Sequence, residues 1–218
     1  MTEKVVVIVG AGPGVSGSLA RIYAQEGCAV GLIGIDPVPL TDLGDELTAM
    51  GVDVGHVVAD VTDAAAAASA VSQLGERFGR VDVLHFNPSA FREKDPLQLS
   101  AEELLADVAL GAGALLTVVQ AARPFLRDGA RVTVTGSMAA DKPWNKAASL
   151  GVQKAAVRNL VQSLDATLRP DGIRAVSVTV RGTLAADGPF TPDRVAQALR
   201  AAAAQDEDSW RSEIPYAG

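Results

Sequence analysis

The stretch VVVIVGAGPGVSGSLARIYAQEG, Val5 to Gly27, restricts the fold of this chain more than any other. An unbroken β-branched run ends in a glycine-rich turn and then gives way to a helical pattern. Near-continuous Val/Ile runs belong to strands covered on both faces, as in a parallel sheet. Gly10, Gly12 and Gly14 occupy the turn, where glycine permits tight reversal and close approach of a ligand to the backbone. The helix that begins at Val15 offers free N–H groups and the positive end of its dipole, which suits a pyrophosphate. A glycine-rich turn without a ligand looks the same locally, so the rest of the chain has to decide.

The rest of the chain alternates. Lys4–Val9, Ala29–Ile35, Asp53–Val58, Val81–Phe86, Arg131–Thr135 and Ala175–Val180 have strand length and composition. Between and after them, Val15–Glu26, Leu40–Met50, Ala64–Phe78, Ala101–Phe125, Ala148–Leu168 and Pro192–Ala204 carry helical patterns. Aromatic residues make up only 4%, so Ala, Val and Leu must fill the core. This order predicts an α/β protein: a Rossmann-like, doubly wound parallel sheet flanked by helices on both faces. No linker-like segment or internal repeat divides the 218 residues, so the expectation is a single dinucleotide-binding domain over 1–218. The end, SWRSEIPYAG, reads either as a short edge strand or as a docked tail.

The formal net charge of −7 argues against a nucleic-acid partner, which would require a basic face. One cysteine, Cys28, excludes an intrachain disulfide framework and points to no metal site. The apolar run at the N-terminus is too short for a signal peptide, and no run approaches the ~20 residues of a membrane span. A cytoplasmic protein with no membrane partner is expected.

Beyond the glycine turn, a series of motifs follows in order. Gly10 and Gly14 fit G-x-x-x-G-x-G, with Ser16 at the last glycine and Gly17 directly after it. ADVTD spans Ala59 to Asp63, GRVDVLHFNPSA spans Gly79 to Ala90, and VTVTGS ends at Ser137. SLGVQKAAV then contains Lys154, and VSVTVRG ends at Gly182. Together these resemble the short-chain dehydrogenase/reductase family over roughly residues 4–183. The resemblance implies a bound NAD or NADP, held by Gly10, Gly12, Gly14 and Val15 at the pyrophosphate. Asp60 and Val61 would meet the adenine, Asn87 would lie in the turn after the fourth strand, and Lys154, Gly182 and Thr183 would lie near the nicotinamide half. Asp36, at the end of the second strand, would accept from ribose hydroxyls and repel a 2′-phosphate. With no cation beside it, the preference leans to NAD; Asp36 as a plain turn residue before Pro37 is the competing reading.

In the family a tyrosine moves the proton, a lysine four residues later lowers its pKa and holds ribose, a serine orients the substrate oxygen, and an asparagine supports a water relay. A phenol must be brought down from about 10 to act near neutrality, so the lysine is integral to that chemistry. Ser137 and Lys154 are the catalytic candidates here. The tyrosine position is Leu150, and ADVALGAG offers no side-chain amide for the asparagine. Tyr23 reads as core, Tyr216 as a tail residue able to approach a site, and His56 as structural. His85, at the carboxyl end of the fourth strand, reads as a satisfied sheet residue or an acid; DKPWNKAAS, Asp141 to Ser149, would border the substrate cleft.

The segment TLAADGPFTPDRVAQAL after Gly182 is shorter than the substrate-covering insertion implied by the resemblance. The cleft is therefore expected to be open or covered by a partner subunit. The resemblance also implies a homodimer or homotetramer through the long helices Ala101–Phe125 and Ala148–Leu168. Three functions stay open: an oxidoreductase for a small carbonyl or alcohol with an altered proton path, a catalytically silent dinucleotide binder, and a non-redox enzyme such as an isomerase or cyclase on the same fold.

Overall fold

The structure, a computed structural model, describes residues 4–218. Met1–Glu3, part of the N-terminal stretch read above for a signal peptide, lie outside the described residues.

Seven parallel strands form one sheet in the order β3-β2-β1-β4-β5-β6-β7. They are β1 Val5–Val9, β2 Ala29–Gly34, β3 Val54–Val58, β4 Val81–Phe86, β5 Leu126–Ser137, β6 Arg174–Val180 and β7 Glu213–Tyr216. The helices are α1 Val15–Gln25, α2 Pro37–Ala49, α3 Ala64–Phe78, α4 Ala101–Val108, α5 Ala114–Ala122, α6 Ala148–Leu168 and α7 Pro192–Ala203. Every residue of β1, β2 and β6 is buried, as their unbroken apolar runs require. Helices α3, α5 and α6 close one face around Leu74, Leu115 and Val161. Helices α1, α2 and α7 close the other around Leu19, Leu40 and Leu199. The sheet is doubly wound and Rossmann-like, as expected. Its order reverses between β1 and β4, which places a crevice at their carboxyl ends.

Element boundaries depart from the sequence pattern where capping decides. Helix α2 starts at Pro37, because the Asp36 carboxylate accepts from the Val38 N–H at 3.1 Å and proline suits the first turn. Asp63 caps α3 through the N–H groups of Ala65 and Ala66. Gly79, at φ 73°, closes its other end. The single helix expected over Ala101–Phe125 is instead α4 and α5 joined by a π-helical turn, Ala109–Gly113, and it ends at Ala122. By length and composition Ala101–Ala122 reaches the apolar character of a membrane span, contrary to the expectation above. In this fold its Leu115, Val118, Val119 and Ala122 pack in the core.

The tail resolves to the edge-strand alternative. Strand β7 pairs with β6 in register from Ser177↔Glu213 to Val180↔Tyr216. Trp210 anchors its approach, lying beneath the guanidinium groups of Arg131 and Arg174 at 5.0 and 4.7 Å. Arg174 also makes a bidentate pair with Asp165, both bonds 2.9 Å, so the buried charge is compensated.

Candidate active site

The glycine turn is built for close approach. Gly10 takes φ +77°, a conformation that other residues rarely adopt. Around Gly12 and Gly14 a Cβ would meet nothing within 4 Å, so the backbone faces open space. Ser16, standing at the family's last glycine, donates to the Gly10 carbonyl at 3.0 Å and braces the turn. Gly17 supplies the close packing instead, since a Cβ there would lie 2.6 Å from the Gly12 carbonyl oxygen.

Two clefts run along this turn and share Pro88 and Ser89 as a common wall. The first, about 550 Å³, is lined by Gly10, Gly12, Asp36, Asp60 and Val61 together with Ile35 and Leu110. The second, about 470 Å³, is lined by Gly14, Val15, Asn87, Ser137, Lys154 and Gly182, with Leu150 and Leu184 among its apolar residues. Eleven of the twelve residues singled out from the sequence thus line two joined clefts at the carboxyl edge of the sheet. Thr183 does not; it is exposed in the loop beyond Gly182. The pair of clefts, extended and divided at the glycine turn, has the shape and donor set that fit a dinucleotide.

In the first cleft no Lys or Arg lines the wall among the described residues. Asp36 already caps α2 through one carboxylate oxygen. The Asp60 carboxylate takes the Thr62 hydroxyl at 2.7 Å and the Thr62 N–H at 2.9 Å, and these hold it below the usual carboxylate range. Val61 is buried against the core.

In the second cleft Lys154 projects from α6 and donates to the Thr135 carbonyl at 2.9 Å. Burial alone lowers its pKa to about 8. Ser137, at the end of β5, accepts from the Ala139 N–H at 3.2 Å and keeps its hydroxyl at the cleft. Leu150 presents a non-titrating apolar side chain to the same space. His85 is wholly buried; its Nδ1 lies 2.9 Å from the Thr133 hydroxyl, and burial lowers its pKa to about 3. It stays neutral at ordinary pH and lines neither cleft. Its Nε2 lies 3.4 Å from the Thr135 hydroxyl, which donates to Asn87 at 2.8 Å. A short polar column therefore leads from the sheet interior to the cleft wall.

Two features escaped the sequence reading. Gln153 is fully buried beside Lys154 and clamps the loop after β4: its Nε2 donates to the Ala90 carbonyl at 2.9 Å and its Oε1 accepts the Ala90 N–H at 3.1 Å. It packs on Gly111 in the π-helical turn, so a buried amide does lie against ADVALGAG, contributed from α6. The only available signal was a polar residue at an inward helical position. The second feature is the loop that replaces the long insertion. Phe190 packs under Gly182, and Tyr216 donates to the Pro189 carbonyl at 2.6 Å while stacking edge-on with Phe190 at 5.7 Å. Tyr216 thus fastens this loop, and it does not line the clefts. Tyr23 is buried in the core as expected.

The fold and its crevice define a class of nucleotide-binding α/β proteins. The chain belongs to the short chain dehydrogenase family, whose pattern matches residues 4–187. Among its relatives, the oxidoreductase UcpA of Escherichia coli K12 is 33% identical over 184 residues, covering 82% of this chain and 68% of that protein. The cis-4-hydroxycyclohexanecarboxylate dehydrogenase of Sinomonas cyclohexanicum is 30% identical over 225 residues, covering 90% and 88%. The short-chain dehydrogenase from Burkholderia cenocepacia J2315 in complex with NADP shares the fold, with a TM-score of 0.89 over 99% of this chain and 96% of that one at 24% identity.

Proposed function

We propose that this protein is a nicotinamide-dinucleotide oxidoreductase for a small carbonyl or alcohol substrate, working without the tyrosine of its family. The observation that carries this reading is the pair of joined clefts: a glycine turn at their centre, with Ser137 and Lys154 on the wall of one. Gly10, Gly12, Gly14 and Val15 cradle the pyrophosphate, Asp60 and Val61 meet the adenine, and Asn87, Lys154 and Gly182 flank the nicotinamide ribose. A nicotinamide bound there supplies or accepts hydride. Ser137 orients the substrate oxygen, and Leu150 and Leu184 exclude water from it. The name of the Sinomonas relative supports an alcohol–carbonyl pair. With Asp36 at the ribose and no cation lining the first cleft among the described residues, NAD is the preferred dinucleotide.

Leu150 supports a second reading, a dinucleotide binder with no turnover. Calorimetric titration with NADH and NADPH, followed by a panel of ketones, aldehydes and secondary alcohols, separates the two. NADH binding with measurable turnover is expected. Binding without turnover on any substrate favours the silent binder, and no binding of either dinucleotide removes both readings. The outer face of α4, α5 and α6 carries exposed Leu105, Leu116 and Val152, which supports a homodimer or homotetramer.

A further inference from the structure

We propose that Lys154 is the proton-transfer group of this site, giving its own proton to the substrate oxygen where the family uses a phenol. The inference rests on the oxidoreductase reading above and on an inventory of the second cleft. Among the described residues that line it, Lys154 is the one group that titrates between acid and strong base.

The setting of the amine fits that task. An ammonium has three N–H donors, and the protein supplies Lys154 with one acceptor, the Thr135 carbonyl at 2.9 Å. Its neighbours from every side lack negative charge. Val15 comes from α1, Val180 from β6, Val195 from α7, Leu150 from its own helix, and Thr135 and Ser137 from β5. The buried imidazole of His85 on β4 is neutral. The nearest charges along the helix, at Arg158, are paired with Asp141 at 2.7 Å and Glu213 at 3.0 Å. A buried amine with one acceptor and no counter-ion holds its proton loosely, as its pKa of about 8 reflects. Leu150, on the wall of the same cleft, carries no proton to give.

The step balances with the reduced dinucleotide as two-electron donor. As hydride adds to the carbonyl carbon, the π pair of C=O moves onto oxygen. That oxygen forms its O–H bond with a proton from Lys154 Nζ, whose N–H bond breaks. The neutral amine stays hydrogen-bonded in the cleft and regains a proton from water. In alcohol oxidation the amine form takes the hydroxyl proton.

The test has two arms. In protein carrying 13C-labelled lysine, the chain shows five lysine side chains, and Lys154 is assigned by its absence from a Lys154→Arg variant. Its side-chain signal is expected to titrate near 8, well below the ~10.4 of a lysine free in water. A midpoint near the ~10.4 of a lysine free in water overturns the proposal, whatever the cofactor result. In the second arm, Lys154→Arg keeps the charge but cannot release a proton. Its guanidinium still donates to the ribose, so it is expected to keep binding NADH while losing about 10²–10⁴-fold in turnover. Wild-type carbonyl reduction should fall as pH rises through the same midpoint, while alcohol oxidation rises. Undiminished turnover in Lys154→Arg overturns the proposal and leaves the oxidoreductase reading standing. No dinucleotide binding by wild type overturns that reading, while the lysine titration still reports on the amine.

Discussion

At Gly111 the lack of a side chain makes room for Gln153. A Cβ there would lie 2.6 Å from Gln153 Oε1 and 3.1 Å from its Cβ, within the π-helical turn Ala109–Gly113. Helix propensity alone favours Ala over Gly by about 1 kcal/mol. Overpacking against a fully buried, doubly bonded amide opposes it by about 1–3 kcal/mol. Gly111→Ala is therefore expected to destabilise, and adding Gln153→Ala should recover part of the loss as a positive coupling. Urea unfolding of the two single variants and the double variant reads this directly; a stabilised Gly111→Ala would show that the clamp yields freely. None of this was legible beforehand. The sequence ADVALGAG offered no side-chain amide, but it did not show that Gln153 reaches across to this turn, because that contact joins residues 42 positions apart and has no periodic signature.

His85 makes the pH argument at the same scale. Burial lowers its folded-state pKa to about 3, whereas an unfolded histidine titrates near about 6.5. The neutral form is favoured on folding, so the unfolded chain binds the extra proton first. Stability is fully present above the unfolded value and is lost as pH falls from there towards the folded one, by up to about 1.4 kcal/mol per pH unit. His85→Gln removes this term. Denaturant unfolding of both proteins near pH 7 and about pH 4.5 should show the wild type losing more stability than the variant on acidification. Equal losses would mean that the imidazole is not the group responsible.

At the scale of elements, the sheet was legible because unbroken Val/Ile runs mark parallel strands irrespective of context. Boundaries were not, since Asp36 with Pro37 outweighed the apolar pattern that placed the start of α2 at Leu40. The tail was ambiguous because EIPY is a strand only in the company of β6. Its pairing has a functional consequence. The Arg181 N–H donates to the Tyr216 carbonyl at 2.8 Å, and the Tyr216 hydroxyl holds Pro189. Strand β7 thereby ties down both ends of the short loop beside the second cleft. Tyr216→Ala removes the hydroxyl bond and the ring contact with Phe190. The Ala185 amide, bonded to the Phe190 carbonyl at 3.2 Å, is expected to lose hydrogen-exchange protection while amides in β1 and β4 keep theirs. Unchanged exchange at Ala185 would show that the loop holds its shape without the tail.

At the scale of the molecule, one exposed apolar surface is the outer face of α4, α5 and α6. One groove there lies between Leu104 on α4 and Val152 on α6, beside Trp144. Another lies between Leu116 on α5 and Leu160 and Leu164 on α6. Leu105 is 67% exposed, Val152 48% and Leu116 40%, an apolar set on one pair of long helix surfaces. Single exposed apolar residues are ordinary, but a contiguous face is the mark of an interface. Two copies meeting through it would bury these grooves. Sedimentation velocity at micromolar concentration is expected to give a dimer or tetramer. Val152→Glu combined with Leu116→Glu places charges in the face, so the variant should sediment as a monomer with unaltered circular dichroism. Because like charges in a desolvated interface cost several kcal/mol, even a partial shift should be visible across a tenfold dilution series. A wild-type monomer would remove the interface, and a variant that remains oligomeric would place it on another face of the sheet.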